Sequence, residues 1–147
     1  MIKVFQTDHG AITGNCMESC IASLFELNLN QVPILCAGED GDNWHKNLLA
    51  WLKEKMGCYY LEFTWKAWDA AVPSAYCIIV GKSPRYPDTK HAVVGHGTKI
   101  VHDPVGMEAK GYMTLDDKEN WLYGYFVPFD PMSFGDLFLE RKPLEES

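Results

Sequence analysis

The chain has 147 residues, 47% of them hydrophobic and 22% charged, which is material for one cored domain and hardly for two. Lys and Arg number 13 against 20 Asp and Glu, and the formal charge of −7 argues against binding nucleic acid or an anionic membrane surface, which need a basic footprint. Aromatic residues, at 13%, supply enough burial area to exclude a chain disordered by composition.

Residues 1–15 read as a short strand followed by a glycine-containing loop, Thr7 to Asn15. The start turns polar too soon for a signal-peptide apolar region. The longest apolar stretch, Ala75 to Val80, is far short of the roughly 20 residues that span a bilayer. Apolar positions 17, 20, 21, 24 and 27 then recur at helical spacing behind Asn15, a good N-cap residue, and Pro33 ends the segment beyond that helix. A second helix is predicted from about Asn43 to Met56, with Trp44, Leu48, Trp51, Leu52 and Met56 in one stripe and Gly57 at the C-terminal cap. Strands come next at Cys58 to Phe63 and Tyr76 to Val80. A hairpin then has arms Lys90 to Val94 and Lys99 to Asp103, and a last strand covers Leu122 to Phe129. Helices first and an antiparallel sheet afterwards predict an α+β domain over residues 1–135, with a charged, frayed tail over 136–147.

The five cysteines, at 16, 20, 36, 58 and 77, are odd in number and suggest no disulfide framework, so reduced thiols in a cytoplasm are expected. Cys20, Cys36, Cys58 and Cys77 read as core, as do Trp44, Trp51, Tyr59 and Tyr60. Cys16 differs because it opens a helix. A thiol there feels the positive end of the dipole and unpaired N–H groups, both of which favour its anion. It becomes a nucleophile if a histidine takes its proton and a third group orients that histidine. His91 begins an apolar strand and Asp103 ends the next, just before Pro104, which is the layout of a Cys-His-Asp triad. Gln6, upstream, can add its side-chain amide to the backbone N–H of Cys16 to hold a developing oxyanion.

Rival readings accompany these residues. His102 is an alternative base, although strand alternation points it away from the face of Asp103. Cys16, Cys20, His91, His102 and Asp103 could meet at a metal, but no Cys-x-x-Cys pair occurs. The ten residues from Gly81 to Lys90 carry three cations and read either as a solvated loop or as a rim gripping a carboxylate or phosphate. Arg85, Lys82 and Asn15 are the candidate substrate contacts. Register matters as well: a two-residue turn at His96-Gly97 would send Asp103 to the face opposite His91. An odd-length loop or a bulge near Gly97 is therefore expected, with five loop residues favoured over three because Thr98 is a poor left-handed residue.

The order of these parts resembles the papain-like cysteine peptidase superfamily, in particular small C39-like domains, and is most similar to a group of short phage and bacterial proteins. The resemblance rests on Gln6-Thr7, Gly14-Asn15-Cys16, Ala22-Ser23-Leu24, Val32-Pro33 and Trp51-Leu52. It continues in Ser83-Pro84-Arg85, His91-Ala92-Val93-Val94 and His102-Asp103-Pro104. It implies a papain-like fold in which the cysteine helix packs on a small antiparallel sheet. It also implies Cys16 as nucleophile, His91 as general base, Asp103 as its orienter and Gln6 as oxyanion donor, with no cofactor. Two positions depart from the pattern: Gln6 lies ten residues before Cys16, a longer gap than is common there, and Met17 stands where C39 peptidases usually have glycine. The implied function is a cysteine hydrolase or acyltransferase attacking an amide, isopeptide or thioester carbonyl of a small-molecule, peptide or protein substrate. The other reading is a non-catalytic papain-like binding module, for instance a phage protein that blocks or sequesters a factor in the host cytoplasm.

Overall fold

The computed structural model describes residues 1–37, 43–64, 72–106 and 120–130. Helix α1, Cys16–Phe25, forms where the apolar spacing predicts it, and every residue from Met17 to Ser23 is buried. Two serines survive in that buried helix because each returns its hydroxyl to a carbonyl one turn back: Ser19 to Asn15 and Ser23 to Ser19, both at 2.8 Å. The helix stops at Glu26, which takes a left-handed φ of 57° and accepts the Met1 ammonium at 2.8 Å. A single 3₁₀ turn, Leu29–Gln31, leads away from it. Helix α2, Trp44–Lys55, buries Leu48 and Leu52, and Gly57 behind it has the positive φ expected of a C-terminal glycine.

Among the described residues there are five strands: β1 Cys58–Thr64, β2 Tyr76–Lys82, β3 Lys90–His96, β4 Lys99–His102 and β5 Leu122–Pro128. They form one antiparallel sheet in the order β1-β5-β2-β3-β4. Alternation gives it two buried faces. One carries Tyr60, Ile78, Val80, Ala92 and Val94 and packs with buried residues of α1 and α2. The other gathers Cys77, Ile79, Val93, Trp121 and Tyr123. The α+β class expected from the chain order is the class of the fold, and no helix among the described residues is long and apolar enough to cross a membrane.

Three expectations are corrected. Residues 1–6 form no strand; their polar groups are met one at a time by a helix and a turn instead of by a ladder. Ile2 N–H donates to Ser23 O (3.2 Å), Val4 N–H to Ser23 Oγ (3.0 Å) and Gln6 N–H to Pro104 O (2.8 Å). Strands β2 and β3 run on to Lys82 and back from Lys90, so only residues 83–89 remain as the loop between them. The β3–β4 turn has two residues, Gly97 and Thr98, not five. Gly97 carries the positive φ (59°), so Thr98 is spared it. The bulge expected near Gly97 is present: Gly95 pairs with Ile100 but Val94 with His102, leaving Val101 as the extra residue. The tail expected over 136–147 lies outside the described residues.

Candidate active site

That bulge sets the site. In the register of the turn, Asp103 would lie opposite Ala92 and share its face. The extra residue advances β4 by one, so His102 takes the face of Val94, and Asp103, next along the chain, takes the face of His91. His91 Nε2 then meets Asp103 Oδ1 at 2.8 Å, both side chains almost wholly buried. The same carboxylate oxygen accepts Val105 N–H at 3.0 Å, and Gly106 N–H closes on Asp103 O at 3.2 Å, so the Asp-Pro turn fixes the acid from its own backbone. With Nε2 engaged, Nδ1 is the ring atom left for Cys16, whose sulfur lies close enough to support the charged ring. Burial works against a charge on His91. The hydrogen bonds and charges of Asp103 and Cys16 outweigh it and raise the histidine to about 9.

Cys16, His91 and Gln6 line one cavity of about 250 Å³, at the small end of ligand-site volumes. Its walls are the loop ahead of α1 and the loop over residues 83–89, joined where Tyr86 OH donates to His9 O at 3.2 Å. Gln6 is buried here, and Nε2 gives one hydrogen to Asp8 O at 3.0 Å while Oε1 has no partner among the described residues. The amide is thus brought to the cavity of Cys16, with one of its two hydrogens committed to the loop.

Other candidates separate. Arg85 lines this cavity, but Lys82 does not; it ends β2 and faces a second hollow beside Asp88 and Leu122. Asn15 is not a side-chain N-cap. Its Oδ1 accepts Thr7 N–H and Asp8 N–H, both at 3.2 Å, and its Nδ2 donates to Thr7 Oγ1 at 2.8 Å. It holds the loop that walls the cavity and has little left for a substrate. His102 is a structural tie: buried, it bonds Val4 O at 2.7 Å through Nε2 and meets Phe5 edge-on. Its ring is thereby withdrawn as a rival base. Among the described residues, no three His, Cys, Asp or Glu side chains are grouped as a metal ion requires.

Cys20, Cys58 and Cys77 are core, and burial pushes Cys58 and Cys77 up to about 11 and Cys20 well above its ordinary range. Cys36 departs from expectation by lining the cavity with Cys16. Buried Glu18 places it, with Oε1 accepting Leu35 N–H (2.8 Å) and Cys36 N–H (3.1 Å). Burial and the Glu18 charge hold the Cys36 thiol at about 12. Nothing in the aperiodic stretch around Pro33 signals this position; the one clue is an acid on the buried stripe of α1. Tyr59 is exposed, against the core reading, while Tyr60 is fully buried and Trp44 and Trp51 are half-buried against the core.

No family model matches this chain, and neither a curated protein nor a solved structure is significantly similar to it.

Proposed function

We propose that the protein is a cysteine hydrolase or acyltransferase of papain-like design, acting on an amide, isopeptide or thioester carbonyl. The observation that carries this reading is the buried His91 ring bonded to Asp103 on the wall of a cavity that Cys16 also lines. A histidine raised to about 9 keeps its proton at neutral pH, where it is ready for a leaving group.

Cys16 Sγ bonds to the carbonyl carbon, and the C–N or C–S bond breaks as His91 passes its proton to the departing amine or thiol. Water or an acceptor amine then attacks the acyl-enzyme. His91 takes the attacker's proton, the S–C bond breaks, and the acid or the new amide leaves. Asp103 orients the ring throughout and supports its charge. First-turn N–H groups of α1 and the remaining amide hydrogen of Gln6 are the donors for the oxyanion.

The test is a panel of amide and thioester probes read by intact mass. A probe-sized increment on the wild-type protein, absent from Cys16→Ala and from His91→Ala, is expected. A panel that leaves the mass unchanged, together with a Cys16→Ala protein of full biological effect, would favour the binding module instead.

A further inference from the structure

We propose that Arg85 makes the cavity selective for substrates whose group lodged beside Cys16 carries a carboxylate; this deepens the hydrolase reading and rests on it. Charge distribution is the first support. The chain has 20 acids and a net charge of −7, yet the described residues lining this cavity include Arg85, Lys90 and His91 and not one Asp or Glu. An anion meets attraction there and, among the described residues, no opposing carboxylate on the wall.

Arg85 itself is the second. Its Nε is buried and has no hydrogen-bond partner, and no carboxylate pairs with its guanidinium among the described residues. Leaving such a donor unpaired is unfavourable unless a ligand completes it. The group is also preset. Ser83 Oγ accepts the N–H of Arg85 (3.3 Å) and of Tyr86 (3.2 Å), and Ser83 N–H donates to Thr89 O at 2.9 Å. The guanidinium carbon stands 5.7 Å from the centroid of the Tyr86 ring, and Tyr86 is tied to His9 across the cavity rim. One planar fork matches one planar two-oxygen group. A phosphate dianion would leave further oxygens against Ile12, Met17, Trp44 and Ala92, which favours the carboxylate.

Alkylation tests this without requiring turnover, since the thiolate displaces iodide from carbon independently of any acyl transfer. Iodoacetate and 3-iodopropionate are each compared with their neutral amides on Cys16 by mass spectrometry, the acid-to-amide rate ratio being normalised to free cysteine. At least one acid should be favoured by roughly tenfold at low salt. The preference should fall towards that of free cysteine in Arg85→Gln and return in part in Arg85→Lys. A wild-type ratio equal to that of free cysteine, or one that survives Arg85→Gln, would overturn the inference. Succinyl and butyryl thioesters form the second arm. Acyl-enzyme formed equally from both would refute the carboxylate preference and leave the hydrolase reading standing. An acid preference in alkylation with no acyl-enzyme from either thioester would refute the hydrolase and leave the anion site standing.

Discussion

His91 shows how neighbours decide what a residue does. Its ordinary value near 6.5 is raised to about 9, burial opposing and Asp103 and Cys16 prevailing. A histidine whose folded value is raised stabilises the fold fully below about pH 6.5 and loses that contribution as pH rises through about 9. A shift of that size is worth on the order of 3 kcal/mol. Denaturant titrations at pH 6 and pH 10 should therefore show a larger loss for the wild type than for Asp103→Asn. The alkaline limb of kcat/KM, expected near pH 9, should move to lower pH in the same variant. Equal losses and an unmoved limb would mean that Asp103 does not support the histidine. Gln6 gives a second prediction: Gln6→Ala should lower turnover by roughly 10²-fold while circular dichroism stays unchanged. An unaltered rate would place the oxyanion on other donors. At this scale Cys16, His91 and Asp103 are legible in the sequence, because residue type and order alone suggest proton transfer between them. Asn15 and Lys82 are not. The Asn15 amide is drawn back by Thr7 and Asp8, and the true length of β2 carries Lys82 past the cavity.

At the scale of elements, the β3–β4 hairpin does the aligning. Its turn alone would set Asp103 with Ala92; Val101, as the unpaired residue of the bulge, brings it to His91. Deleting Val101 should give a regular ladder in which His102 still lies opposite Val94 and Asp103 keeps the face of His91, so both the 2.8 Å contact and the tie from His102 to Val4 should survive. The expected result is a folded protein in which Cys16 keeps its selective reactivity. A deletion variant that lost this reactivity would show that the bend of the bulge, beyond register, positions Asp103. The need for an irregularity near Gly97 can be read from the spacing of His91 and Asp103. Its form cannot, because a bulge and a longer loop shift the register equally well. Both helices are legible from 3.6-residue periodicity and their flanking residues. The first six residues mislead, since an alternating apolar start looks like a strand whether its N–H groups meet a ladder or scattered acceptors.

Across the whole molecule, the site is assembled from four distant points of the chain, Gln6, Cys16, His91 and Asp103, on a sheet whose order no local pattern reveals. β5, last of the described strands in sequence, lies between β1 and β2 and joins the edge strand β1 to the β2-β3-β4 hairpins. Tyr60 lies over Gly124 of that strand so closely that a methyl group there would collide with its ring. Tyr60 is fully buried and donates to Glu62 at 2.8 Å, so it has little freedom to retreat. Gly124→Ala should therefore cost about 1–3 kcal/mol, read as a lowered Tm, yet leave Cys16 alkylation unchanged well below that temperature. An unchanged Tm would mean that the sheet yields there. The central claim, that one of five thiols is set apart by its partners, is tested most directly by limited iodoacetamide at about pH 6 with mass-spectrometric mapping. Ordinary thiols are then almost wholly protonated, and those of Cys36, Cys58 and Cys77 more so, held at about 12, 11 and 11. Cys16 should be labelled first in the folded protein, and His91→Ala should remove most of that selectivity. Cys16 left unlabelled, or label spread evenly over Cys16, Cys36 and Cys58, would contradict the account.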